Sequence, residues 1–231
     1  GCGWGCDFCV MAELPMFHFE PDLILADLQT NLTGGSPAAL STSEDFFRYG
    51  GQGHQVNPDA VIDLVERMGR IPRLQFMQID HANVRSVLQF TPRELARIRD
   101  QLPGSRQNRY AWVNVGVETL NGQLLHSLAP AKIGGAPADE WPSRVDETLR
   151  RLIEAGFFPV VSLILGLPGE TPDDIRTTQA WVHRWKERPL SIFPIFYEPP
   201  TPQPHHPAFT IDQMSRLHLD LFQTCYEMNF Q

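Results

Sequence analysis

Long apolar runs and an excess of positive charge are both absent from this sequence. No apolar stretch approaches the roughly 20 residues that a helix needs to cross a bilayer, so we expect no membrane segment. A Cys-rich loop stands where a signal peptide would lie, so no secretory leader is expected. The chain has 19 Lys and Arg against 27 Asp and Glu, a formal net charge of -8. An acidic chain gains little from counterion release on a phosphate backbone, which disfavours nucleic acid as the main partner.

Cysteine is also scarce, with four residues in 231. A secreted disulfide framework would spread its cysteines along the chain, whereas Cys2, Cys6 and Cys9 are crowded at one end. This crowding predicts metal or cluster ligation in a reducing compartment, the cytoplasm. Cys225 lies in a helical pattern and is expected to be a small buried hydrophobe.

Strand-like and helix-like segments alternate along the chain. Helix signals are Pro or a capping residue at the start and Gly or Pro at the end. The predicted strands are 38–50, 73–80, 110–119, 159–169 and 190–198. The predicted helices are 21–32, 57–69, 91–104, 143–156, 171–187 and 210–228. Such alternation predicts an α/β fold with a parallel sheet, either doubly wound or a barrel. Because the chain opens in a loop followed by a helix, we expect a first strand upstream of Gly1 in a longer protein.

The cysteines form a C-x3-C-x2-C pattern in the string CGWGCDFC. Three thiolates on a Gly-rich loop suit one face of an iron–sulfur cluster and leave one iron of a four-iron cubane open. The alternative is a structural zinc site, which needs a fourth ligand such as His18 or His54.

The cysteine pattern, with Phe8 just before the third cysteine, resembles the signature of the radical S-adenosylmethionine (SAM) superfamily. VNVGVET and ILGLPGET resemble the fourth- and fifth-strand segments of its cobalamin-binding and methylthiotransferase-like branches. The resemblance implies a partial (β/α)6 TIM-like barrel with parallel strands and outer helices over residues 1–231. It also implies a [4Fe–4S] cluster on Cys2, Cys6 and Cys9, with SAM on the open iron.

The resemblance further implies SAM-binding residues. Phe8 would flank the adenine, Glu118 would bind the ribose hydroxyls, and backbone at Gly166 and Gly169 would approach the adenine. Glu170 is expected mainly to begin the next helix, because a strand, a turn and an N-cap explain its segment equally well.

Other positions are more open. Ser43, Glu44 and Asp45 replace the Gly-Gly-Glu pattern of the family, and Ser43 and Glu44 are the candidates for binding the amino group of SAM. Lys132 is either a partner of the SAM carboxylate or an exposed loop lysine. Asp80, His81 and Asn83 close the third strand of the family's barrel, where they face substrate or SAM or simply form a turn. The adjacent His205 and His206 are expected to be solvated.

The implied chemistry is reductive cleavage of SAM to a 5′-deoxyadenosyl radical that acts on a small-molecule or peptide substrate. An external electron donor of flavodoxin or ferredoxin type would reduce the cluster. Cobalamin, bound by a domain before Gly1, is one extension of this reading. A methylthiotransferase-like enzyme that modifies tRNA or protein is an alternative, and a zinc-stabilised binding module that is not an enzyme is another. The substrate does not follow from the sequence.

Overall fold

A computed structural model describes residues 1–12, 14–105, 107–109, 111–201 and 206–230. Its helices are α1 (Pro21–Thr33), α2 (Pro58–Gly69), α3 (Val84–Val87), α4 (Pro92–Gln101), α5 (Gly122–Leu128), α6 (Pro130–Ile133), α7 (Trp141–Glu154), α8 (Pro172–Trp185) and α9 (Arg216–Asn229). Its strands are β1 (Ala38–Ser41), β2 (Phe76–Asn83), β3 (Ala111–Glu118), β4 (Phe157–Leu165) and β5 (Ser191–Phe196). No helix in the described part of the chain is long and apolar enough to cross a membrane.

The strands form one parallel sheet in the order β1-β2-β3-β4-β5. When each strand lies beside its predecessor in sequence and every crossover has the same hand, the helices collect on one face and the sheet curls toward a barrel. The predicted α/β class with parallel strands and outer helices is therefore confirmed, and the five strands match a partial TIM-like barrel.

Local sequence rules explain where the principal helices begin. Asn57 accepts a hydrogen bond from the backbone N–H of Ala60 at the start of α2. Thr91 and Thr171 each form a capping box at the start of α4 and α8, with Pro in the next position. These are the residues that the sequence pattern singled out.

The predicted strand 38–50 is wrong beyond Ser41. Strand β1 ends there, and Phe46–Arg48 form a turn of 3-10 helix. The physical reason is that Asp45, Phe46, Phe47 and Arg48 are buried against the N-terminal loop and the neighbouring helices, which pulls this segment out of the sheet.

The two faces of the sheet differ in burial. On the helix side, Ile79, Val113, Val115 and Val161 are fully buried in the main apolar core. The alternate residues of the same strands point to the other face and are partly exposed. Among the residues that the structure describes, helices cover one side of the sheet and leave the other side largely open.

Candidate functional site

The three cysteines lie on a loop that turns sharply between them. Gly3 and Gly5 have left-handed backbone angles, with φ of 67° and 65°, which glycine adopts without a side-chain penalty. The N–H of Cys9 donates to the carbonyl of Cys6 at 3.0 Å, and the N–H of Met11 lies 3.4 Å from the Cys9 Sγ. All of these cysteines are free thiols.

Trp4, between the first two cysteines, anchors the loop to the protein. Its indole Nε1 donates to Asp45 Oδ2 at 3.0 Å, and the His54 ring stacks on it at 4.5 Å. The Arg48 guanidinium lies 4.6 Å from the centre of the Trp4 ring and also donates to the carbonyl of Cys2 at 2.8 Å. The segment after β1 therefore holds the cysteine loop in place.

Asp45 is the acidic residue of that segment that reaches the loop. Its Oδ2 also accepts a hydrogen bond from Ser86 Oγ at 2.6 Å, and its side chain is fully buried. Burial raises the pKa of Asp45 to about 6. Ser43 and Glu44, the predicted SAM contacts, are half-buried just before it, and their proposed role stays a prediction.

A buried ion pair lies at the carboxyl end of β3. Lys132 Nζ, on α6, donates to the Glu118 carboxylate and, at 3.3 Å, to the carbonyl of Gly116. A Cβ on Gly116 would collide with Glu118 Oε1, so glycine allows this close approach. Lys132 is buried, and the expectation of an exposed loop lysine is therefore wrong. Glu118 itself has a φ of 68°, an uncommon conformation that is frequently functional.

The cysteine loop and the ion pair share one electrostatic environment. Burial raises the pKa of the Cys6 thiol to about 12, and the positive charge of Lys132 opposes that rise. Burial also raises the pKa of Cys2, against the charges of Arg48 and Lys132. Burial lowers the pKa of Lys132, but the charges of the Glu118 carboxylate and of the cysteines raise it by more. The pKa of Lys132 is therefore above its ordinary value. Phe8 completes this group, with its ring centre 5.9 Å from Lys132 Nζ.

The donor set fits an iron–sulfur cluster in its chemistry. It offers three soft thiol ligands on a glycine-bent loop, a backbone N–H beside one sulfur, and a buried cation that offsets thiolate charge. Within the described residues, no three Cys, His, Asp or Glu side chains are gathered closely enough to hold a metal ion. Binding a cluster here requires the cysteine side chains to turn toward one another.

Neither histidine named for a zinc site accompanies the cysteines as a fourth ligand. His54 Nε2 lies 3.1 Å from the carbonyl of Gly3 while its ring stacks on Trp4. His18 lies between backbone groups of Gly50 and Gly51, at 3.4 Å and 3.2 Å. The His54 ring therefore packs on the cysteine loop, and the His18 ring packs on the segment 49–51.

The end of β4 is organised by Glu170. Its Oε2 accepts from the backbone N–H of Gly166 at 2.9 Å and lies 3.0 Å from His218 Nε2 on α9. Because the Ser215 N–H donates to His218 Nδ1, the proton of the neutral ring is on Nε2 and is donated to Glu170. Glu170 therefore fixes the turn after β4 to α9.

Phe209 covers Gly166, a predicted adenine contact. Gly166 has a φ of 76°, and a Cβ there would collide with the Phe209 ring. Phe8 and Phe209 both pack against one small apolar cluster, made of Leu124, Ile164, Leu167 and Tyr197. Gly169, with a φ of 92°, is exposed at the same edge.

The remaining candidates lie on β2, at the start of α3 and in the segment before α9. Asp80 and His81 lie at a bulge on the open side of β2, and Asn83 is buried and caps α3 through the N–H of Arg85. His206 is exposed, whereas His205 lies outside the described residues.

Sequence reasoning missed Trp4, Asp45 and Phe209. The signal for Trp4 was a large aromatic residue inside a short cysteine loop, where only tertiary packing can bury it. Asp45 directly follows the candidates Ser43 and Glu44. For Phe209 no local signal exists, because its contact with Gly166 joins segments that are distant in sequence.

No family model matches the sequence. Among solved structures, the radical SAM methyltransferase TsrM from Kitasatospora setae, with cobalamin and a [4Fe–4S] cluster bound, superposes with a TM-score of 0.60 at 15% identity. A radical SAM methyltransferase from Sphaerobacter thermophilus gives 0.58 at 14% identity, and methylornithine synthase (PylB) gives 0.55 at 16%. These matches show that the chain shares its fold with solved radical SAM enzymes, as the sequence resemblance predicted.

The matched proteins are longer than this chain. The alignment covers 84% of this chain and 32% of TsrM, and 99% of this chain against 61% of the Sphaerobacter enzyme and 59% of PylB. This chain thus spans between about a third and three fifths of the proteins that share its fold.

Proposed function

We propose that residues 1–231 form the core domain of a radical SAM enzyme. In this proposal Cys2, Cys6 and Cys9 hold a [4Fe–4S] cluster, and SAM binds at its remaining iron. A reduced cluster, when bound, supplies the electron that cleaves SAM reductively. The residues of the chain hold the cofactors, orient the substrate and keep water away.

One observation carries the proposal. In a chain with the fold of radical SAM enzymes, the C-x3-C-x2-C loop lies beside the carboxyl end of β3, where the buried Cys6 is in electrostatic range of the Lys132–Glu118 pair. Barrel enzymes build their active sites at this end of their strands. A buried cation and a buried carboxylate beside three thiols suit a zwitterionic cofactor and a charged cluster better than they suit a folding core.

The roles of individual residues follow from these positions. Glu118 accepts the ribose hydroxyls of SAM, and Lys132 balances the negative charge of the thiolates and of the SAM carboxylate. The Phe8 ring packs on the adenine. Trp4 and Asp45 keep the loop fixed against the segment after β1.

The other predicted contacts are proposed with the same cofactor. Ser43 and Glu44 bind the amino group of SAM. The backbone at Gly166 and Gly169 approaches the adenine, which requires the Phe209 ring to move away from Gly166 or to share its surface.

We propose the cobalamin-associated branch and a small-molecule substrate. TsrM, a structural neighbour, was solved with cobalamin and also with tryptophan and the SAM analogue aza-SAM. The methylthiotransferase-like alternative gains no support from these neighbours. The electron donor is of flavodoxin or ferredoxin type, and a reducing compartment such as the cytoplasm keeps the thiols available.

The test is anaerobic reconstitution with iron and sulfide, followed by incubation with SAM and dithionite. We expect about four irons per chain and release of 5′-deoxyadenosine. Cys6→Ala should lose both. Cys225→Ala is the matched control, because Cys225 is a free thiol buried in α9, and it should keep both.

Stoichiometric zinc with neither cluster nor SAM cleavage would overturn the proposal and return the loop to a structural role. Equal iron loading of Cys6→Ala and Cys225→Ala would show that the cysteine loop does not hold the cluster.

A further inference from the structure

A polar cluster lies on the open face of the sheet, away from the cysteine loop. Asn114 Nδ2 donates to Asp80 Oδ1 at 3.3 Å, and His81 Nδ1 lies 3.3 Å from Asp80 Oδ2. The backbone N–H of Asp80 donates to Ser41 Oγ at 3.0 Å. Three neighbouring strands, β1, β2 and β3, therefore position this one carboxylate.

A bulge in β2 creates the cluster. The register of β2 against β3 shifts between Ile79 and His81, and His81 pairs with Asn114. A bulge re-aims side chains, so that two consecutive residues serve the same region of the sheet. Bulges are frequent beside active sites for this reason.

The Asp80 carboxylate can accept more hydrogen bonds than it does here. An ionised carboxylate has about four acceptor positions. The Asp80 side chain is partly exposed, and the described residues give each of its oxygens one partner at the long distance of 3.3 Å. A donor group with positive charge, approaching from the open face, would form shorter and stronger hydrogen bonds than either neighbour does.

Large apolar side chains lie on the same face of the neighbouring strands. Trp112 precedes Asn114 by two residues on β3, and its ring centre is 6.1 Å from that of Phe158 on β4. Trp112, on the central strand β3, is 49% exposed, and Phe193 and Ile195, on the edge strand β5, are 48% and 51% exposed. A flat apolar surface beside a carboxylate suits an amphiphilic molecule with a cationic end.

The polar cluster and the proposed cofactor site are neighbours along β3. Gly116, whose carbonyl accepts from Lys132, is two residues beyond Asn114 on the same side of β3. At a rise of about 3.3 Å per residue, the two positions are about 7 Å apart along the strand. Trp112 lies two residues on the other side of Asn114, toward the amino end of β3, so a molecule bound at both Trp112 and Asp80 must extend past Asp80 to reach the carboxyl end.

We propose that Asp80 binds a protonated amino group of the substrate and that the Trp112–Phe158 pair packs against its apolar part. This inference rests on the proposed function and narrows its substrate to amines that carry a flat apolar group. His81 and Asn114 are positioning residues, which hold the carboxylate toward the open face.

The test uses phenethylamine and its neutral analogue 2-phenylethanol as probes, with ligand-observed NMR on the reconstituted wild-type chain. Phenethylamine should bind at least fivefold more tightly than 2-phenylethanol. Asp80→Asn should abolish this preference, and Trp112→Ala should weaken both probes. Asp173→Asn, a change of the same kind at an exposed position on α8, should leave the binding of both probes unchanged.

The comparison of the two probes on the wild type needs no variant, so it is decisive even where Asp80→Asn fails to fold. Equal binding of the two probes, or no binding of phenethylamine, overturns the inference. Iron loading and SAM cleavage without any preference for the amine would leave the proposed function and remove this subsite. A preference that depends on Asp80, without SAM cleavage, would keep the subsite and remove the function.

Discussion

Lys132 donates a hydrogen bond to Glu118 inside the protein, with the two side chains only 7% and 9% exposed. The pair joins α6 to the end of β3, and Gly116 leaves room for it. Breaking a buried ion pair on one side leaves an uncompensated charge, which costs more than losing the pair altogether. The stability of the chain therefore depends on keeping both partners or neither.

Lys132→Met should destabilise the chain by about 3–5 kcal/mol, because Glu118 would be left buried without its partner. The double variant Lys132→Met with Glu118→Leu should recover much of that loss. Urea unfolding under anaerobic conditions measures both. Lys186→Met, at an exposed position after α8, is the control and should change the free energy of unfolding by less than about 0.5 kcal/mol. A Lys132→Met variant as stable as the control would contradict the argument.

Asp45 should make stability depend on pH. Burial raises its pKa from the ordinary value of 3.8 to about 6, so the folded chain holds this proton more tightly than the unfolded chain does. The contribution of Asp45 to the free energy of unfolding is fully present below about pH 4. It falls as the pH rises toward about 6 and is lost above that pH. A shift of about two pKa units corresponds to about 3 kcal/mol.

Asp45→Asn removes the titration. The wild type loses about 3 kcal/mol as the pH rises from 4 to 7, and the variant does not. The free energy of unfolding of Asp45→Asn minus that of wild type should therefore rise by about 3 kcal/mol over this pH range. Urea unfolding of both proteins at several pH values measures this difference, with Asp173→Asn as the exposed control. A difference between Asp45→Asn and wild type that is the same at every pH would show that Asp45 titrates normally.

Sequence signals identified the five strands and the longer helices of this fold but not their contacts. Helix starts at Asn57, Thr91 and Thr171 follow from local hydrogen bonds and were predicted. The short helices α5 and α6 were missed, because seven and four residues are too few to show a helical period. The burial of Lys132 was also missed, since it depends on α6 approaching β3 from a separate part of the chain.

The candidate site shows the same division. The spacing of Cys2, Cys6 and Cys9 is a local property of the sequence, so the resemblance to radical SAM enzymes can be recognised without tertiary contacts. The residues that secure the loop, Asp45 and Arg48, fall within the predicted strand 38–50, because their apolar neighbours favour a strand. Tertiary burial against Trp4 overrides that preference.

Glu170 should act through structure rather than through the cofactor. Removing it in Glu170→Ala leaves the Gly166 N–H and the His218 ring without their shared acceptor, at a cost of about 1–3 kcal/mol for each unsatisfied group. Urea unfolding should show the loss, while the iron content after reconstitution stays at the wild-type value. Glu154→Ala, exposed on α7, is the control. A normal free energy of unfolding together with reduced iron would place Glu170 in the cofactor site instead.

The energetic cost of a collision between residues 166 and 209 can be measured separately from the cost of backbone strain. Gly166→Ala makes a Cβ collide with the Phe209 ring and also puts a side chain at a φ of 76°. Gly135 has a similar φ of 81°, and a Cβ there would meet nothing within 4 Å. Gly135→Ala therefore shows the strain alone, about 1–2 kcal/mol.

Gly166→Ala should cost more than Gly135→Ala, because it adds the collision with Phe209. In a Phe209→Ala background the ring contacts are removed but the Cβ of residue 209 remains within 2.5 Å, so the cost of Gly166→Ala should fall while staying above that of Gly135→Ala. A double-mutant cycle by urea unfolding gives the coupling, which we expect to be about 1–3 kcal/mol. Additive effects of the two substitutions would mean that Phe209 readily leaves Gly166. That outcome would also indicate an easily opened surface beside the proposed adenine position.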